Sequence, residues 1–222
     1  MKSRDNENSA DGDWDNPEDL DWTEFDWEKY LRSQDDMVHR YLGFYEHSRS
    51  VPDRIDEVAR LMGWEVSDKE IEKETESEAA EDDEAEAEPY VIQSNPVFIA
   101  TSALFRMLQV NWERVAGLSS EIPKSLALPM QAALYRSERQ SLLAIQSLDM
   151  GDFAMAVSLF KRALRDLNVA LSHLSDPVFD TAKDFQSLRE DMQGGLFDLR
   201  EIWLRVIAEC REEVSRHESG DE

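Results

Sequence analysis

The side chains able to do chemistry are few and scattered. Asp36 and His39 stand three residues apart, a spacing that puts a carboxylate and an imidazole on one helical face. Metal-binding helical bundles use that spacing, but they need a second such pair on another helix and further carboxylates. The chain has no second pair, and Asp35, Asp36 and His39 fall off the apolar stripe of their helix, so they read as a solvated face. Of the other histidines, His173 closes a helical pattern, where it complements the helix dipole. The lone cysteine, Cys210, excludes an internal disulfide and reads as a buried thiol on an apolar face. There is no glycine-rich phosphate loop, no Cys-x-x-Cys pair and no Gly-x-Ser-x-Gly elbow. The expectation is a non-enzyme with no catalytic residues, no cofactor and no metal.

Charge says more than chemistry. The 222 residues carry a formal net charge of −25. Residues 1–89 hold 30 acids and 10 bases, against 19 acids and 14 bases in residues 90–222. Such a balance repels nucleic acid and anionic membrane, and the basic residues form no stripe with interleaved aromatics. No stretch approaches the roughly 18 apolar residues of a membrane span. The first residues, MKSRDNENSADGD, lack the apolar run of a secretory signal. A cytoplasmic location is expected.

The elements that carry these residues are helical. Residues 1–20 read as a disordered acidic terminus. Acids then alternate with large aromatics through Trp22, Phe25 and Trp27, which lead directly into a helix and so read first as a cap on the chain's own core, with docking in an apolar groove with a basic rim as the alternative. A helix is expected over about 23–47, its apolar stripe running through Trp27, Leu31, Val38, Tyr41 and Tyr45. A shorter one starts after Pro52-Asp53 and stops at Gly63. Residues 65–89 form an acidic, disordered linker; of residues 65–88, 13 of 24 are Asp or Glu. Asn95-Pro96 caps and opens a helix to about Ala116, stopped by Gly117. That helix carries a second apolar stripe, Phe98, Phe105 and Trp112, and the N-terminal helices are expected to dock there. The next helix is placed from Pro129 to Met150. Asp176-Pro177 starts the last, which runs to about Val214 with Gly194-Gly195 marking a close helix crossing or, as the alternative, a bend.

Across the tight turn Met150-Gly151-Asp152, two helical patterns face each other. Gly151-Asp152-Phe153, followed by Ala156, Phe160, Ala163 and Leu164, resembles the second half of a tetratricopeptide repeat. The resemblance covers about residues 140–171 and implies a closely packed helical hairpin. Gln140 stands where that family usually has an aromatic, and no second copy follows at the family's period of roughly 34 residues. A solenoid needs about three repeats, so the family's peptide binding is not carried over.

The expected architecture is all-α: an N-terminal helical pair (21–64), the acidic linker (65–89), a four-helix bundle-like domain (90–217) and a disordered tail (218–222). The expected function is protein–protein interaction through an apolar helical groove. The candidate surface is Trp22, Trp27, Leu31, Val38, Tyr41, Tyr45, Phe98, Phe105 and Trp112, with the helical pair docked within one chain or between protomers of a homo-oligomer. The alternatives are an acidic chaperone or inhibitor of a basic protein and, more distantly, a metal-dependent helical-bundle enzyme.

Overall fold

A computed structural model describes residues 23–64, 95–118 and 121–220. The expectations for residues 1–22 and for the linker 65–89 lie outside the described residues. Those described are all-α: α1 (Glu24–His47), α2 (Arg54–Met62), α3 (Pro96–Leu118), α4 (Lys124–Asp149), α5 (Phe153–His173) and α6 (Lys183–Gly220), with a 3₁₀ turn at Pro177–Asp180. The chain divides into two compact units between Ser33 and Gln34.

In the first unit, the start of α1 is fixed by a reciprocal cap. Thr23 N donates to Asp26 Oδ2 at 3.0 Å and Asp26 N donates to Thr23 Oγ1 at 3.3 Å, which satisfies two amides that a helix start leaves open. Trp27 and Tyr30 meet edge to face at 6.2 Å.

The second unit is a four-helix bundle with a helical pair laid on it. Helices α3, α4, α5 and α6 form a ring in which each packs on the next and α6 returns to α3. Trp203 of α6 occupies the centre, stacked on Phe105 of α3 at 5.9 Å and tilted against Phe160 of α5 at 6.1 Å, its indole N–H donating to the buried Thr101 hydroxyl at 3.2 Å. The α4–α5 hairpin turns at Gly151, whose φ of 74° is the left-handed conformation that glycine reaches without strain. Asp152 caps α5 by accepting from Met155 N at 2.9 Å. Small buried residues, Ala133, Ala144, Ala156 and Ala163, let these two helices close on each other, and the Ser137 hydroxyl donates across the contact to the Ala163 carbonyl at 2.9 Å.

Four boundaries differ from expectation. Helix α3 passes through Gly117 to Leu118. Helix α4 begins at Lys124, five residues before Pro129, which lies inside it. A proline there removes one helical hydrogen bond, but buried Ile122, Leu126, Met130 and Leu134 recur every four residues and hold that turn on the core. Asp176 does cap, accepting from Val178 N at 3.0 Å, yet it starts only the 3₁₀ turn, and α6 begins at Lys183. At the far end α6 continues to Gly220 rather than stopping near Val214, helped by an Arg216–Glu213 ion pair in its last turns.

Gly195 is a close crossing. A methyl built there would lie 2.8 Å from Met107 Cε and 3.1 Å from Leu108 Cδ2, both on α3.

Candidate functional site

The apolar stripe of α1 has two fates. Val38, Tyr41 and Tyr45 are buried, whereas Leu31 is 47 % and Trp27 48 % exposed. From Gln34 onward the helix and its successor α2 lie along α6. Val38, Tyr41, Tyr45, Val58 and Met62 join the bundle's hydrophobic core, and the contact is edged by a row of ion pairs whose α6 members are seven residues apart: Arg49 to Asp191, Arg54 to Asp198 and Asp56 to Arg205. Both sets ascend together, so the segment 49–56 runs in the same direction as α6. On α3, Arg106 reaches Asp35 of α1 at 3.5 Å.

Asp198 is the centre of this contact. Beyond its pairing with Arg54, it accepts from the Tyr45 hydroxyl at 2.5 Å. The Arg54 guanidinium lies 4.2 Å from the Tyr45 ring centroid, a cation–π contact strengthened by burial. Tyr41 stacks on Tyr45 at 6.2 Å and on Trp64 at 5.8 Å. Burial first, and the Asp198 charge second, push both phenol pKa values well above the ordinary tyrosine range. At the exposed edge, the hydrogen bond from Arg205 holds the Asp56 carboxyl below its usual range.

The expected surface residues are therefore dispersed. Trp22 lies outside the described residues. Phe105 and Trp112 are not a receiving stripe for the helical pair, because both are buried inside the bundle, against Trp203 and, at 6.5 Å, Phe179. Phe98 is half-buried beside the core. The receiving surface is instead the flank of α6, with Met107 and Asn111 of α3 lining the same cleft. Arg54, Trp64 and Asp198 were absent from the sequence reading. Asp191, Asp198 and Arg205 do form a seven-residue polar row beside the apolar seam, where flanking charges set pairing in coiled coils, but nothing in that spacing points to Arg54, Trp64 or Tyr45 as partners.

Chemistry elsewhere is sparse. Asp36 and His39 are exposed, and among the described residues no three His, Cys, Asp or Glu side chains are grouped to hold a metal. Burial raises the Cys210 thiol pKa. No helix among the described residues is long and apolar enough to cross a membrane. Comparison of the chain with protein-family models, curated proteins and solved structures finds no match.

Proposed function

We propose that the chain is a non-enzymatic interaction protein and that the exposed front of the α1 stripe, Trp27 and Leu31, is its partner-binding element. One observation carries this: a single helical stripe is buried at Val38, Tyr41 and Tyr45 and about half exposed at Leu31 and Trp27. Anchoring the rear of the helix holds the front in helical form before a partner arrives, which lowers the ordering cost of binding. Large apolar side chains flanked by Glu24, Asp26 and Glu28 suit an apolar groove with basic edges, the helix-in-groove mode of recognition. The tetratricopeptide-like hairpin serves, in this reading, as a scaffold wall of the bundle.

A photo-reactive leucine analogue at position 31 tests the reading. It should form a protein adduct in cells, whereas the same group at exposed position 36 should not. Equal labelling from both positions, or none from 31, would refute it.

A further inference from the structure

We propose that the partner of the α1 stripe is a second copy of this chain, which receives the acid–aromatic stretch 13–31 on the outer face of its α4–α5 hairpin. The inference rests on the reading of α1 as a contact element.

The helical pair lies against α6 and α3. The outward side of α4 and α5 has no such cover among the described residues. Along α4 and at its C-cap, Leu128, Tyr135, Leu143 and Met150 are exposed, at 69 %, 61 %, 38 % and 76 %. They recur at steps of seven or eight residues. Ala132, Arg139 and Gln146 fall between them at steps of three and four, which is the spacing of a seam that takes another helix. Exposed apolar residues scattered singly need no explanation, but four on one line, with Arg139 and Gln146 between them, make a row of apolar contacts interleaved with polar ones.

Charge selects the occupant. Residues 124–173 contain six Lys or Arg and four Asp or Glu, a surplus of two positive charges in a chain of net −25. Arg139 and Arg162 are exposed and make no ion pair among the described residues. Arg136 and Arg165 share one carboxylate, Asp166, at 3.1 and 3.4 Å, so one positive charge there is left over. An apolar track edged with unneutralised arginine calls for an acidic segment carrying large apolar side chains. Residues 13–31 have that composition: eight acids against the single base Lys29, with Trp14, Trp22, Phe25, Trp27, Tyr30 and Leu31 among them. An anionic membrane would offer similar charge, but the chain's overall charge repels it. The contact joins two different surfaces, so reciprocal exchange between two copies closes a dimer.

Sedimentation velocity of the full chain over a wide concentration range tests this. The wild type should dimerise. The exposed double substitution Arg139→Glu/Arg162→Glu, and separately Leu31→Asp, should each weaken the dimer at least tenfold, about 1.4 kcal/mol, with unchanged helical circular dichroism. Mixing the two variants should restore part of the association, because the mixed pair keeps one of the two reciprocal contacts intact. A wild-type chain that stays monomeric, or a dimer insensitive to either change, overturns the proposal. The adduct at position 31 keeps the two readings apart: an adduct to a different protein leaves the contact element standing and removes the second copy as its partner. Absence of any adduct removes both.

Discussion

Asp198 pairs with Arg54 and accepts from the Tyr45 hydroxyl, and among the described residues no other carboxylate pairs with Arg54. Its own side chain and that of Arg54 are only 18 % and 16 % exposed. Replacing Asp198 by Ala strands the guanidinium and leaves the Tyr45 hydroxyl without its acceptor. Breaking a buried pair in this way costs about 3–5 kcal/mol, and the slight exposure puts Asp198→Ala near the lower end. Removing Glu28, whose pair with Arg32 is well exposed, should cost less than about 0.5 kcal/mol. Urea unfolding of both variants measures the contrast. The two tyrosines add a pH dependence. Their folded pKa values lie above the ordinary 10.0, so the unfolded chain ionises first as pH rises. Stability is whole below pH 10 and drains above it. Tyr45→Phe should flatten that slope, and unfolding midpoints between pH 8 and 11 would reveal it. A slope unchanged by the substitution would mean that Tyr45 is not the group responsible. At this scale the period of 3.6 made Val38, Tyr41 and Tyr45 legible as a buried face. Their polar partner was not legible, because Asp198 lies 153 residues from Tyr45 and no local rule connects them.

The glycine pair in α6 gives the element scale its sharpest contrast. Replacing glycine by alanine within a helix gains about 1 kcal/mol of propensity. At Gly194 the added methyl meets only the Arg54 guanidinium at 3.4 Å, an ordinary contact, so Gly194→Ala should stabilise. At Gly195 it would press on Met107 and on fully buried Leu108. The Met107 methyl can swing aside, but Leu108 cannot, and overpacking costs typically 1–3 kcal/mol. Gly195→Ala should therefore destabilise, and opposite shifts in thermal midpoint would confirm that the crossing is set by the second glycine. Caps were legible at this scale where a side chain met its own local amide, as at Asn95, which accepts from Val97 N at 2.8 Å, and at Asp152. Pro129 and Asp176-Pro177 misled because tertiary burial decides whether a helix continues past or waits beyond a proline. Ile122 and Leu126 carried α4 back past one, and buried Phe179 held the other in a 3₁₀ turn.

For the whole molecule, apolar periodicity was enough to read an all-α bundle carrying an N-terminal helical pair. It could not say which flank receives the pair, since Phe105 and Trp112 look the same in sequence whether they face a neighbour inside the ring or a helix outside it. Tyr41, Tyr45 and Trp64 stack among themselves, and the rings against Trp203 come from α3 and α5, yet Val38, Tyr41, Tyr45, Val58 and Met62 share one hydrophobic core with the ring, so whether the pair opens by itself is a question for exchange. Tyr41→Asp removes a ring stacked between two others and puts a charge in a buried site. Losing that burial alone costs about 1.5–3 kcal/mol, and an unpaired buried carboxylate adds more. Backbone amide exchange in residues 35–62 should therefore rise toward that of an open segment, while α3 to α6 keep their protection, because regions of one fold open with separate free energies. Asp36→Ala, at an exposed position on the same helix, should leave both regions unchanged. If Tyr41→Asp instead accelerates exchange throughout α3–α6, the pair belongs to the same cooperative unit as the ring. The rear of α1 would then be part of the bundle's core in stability as well as in packing.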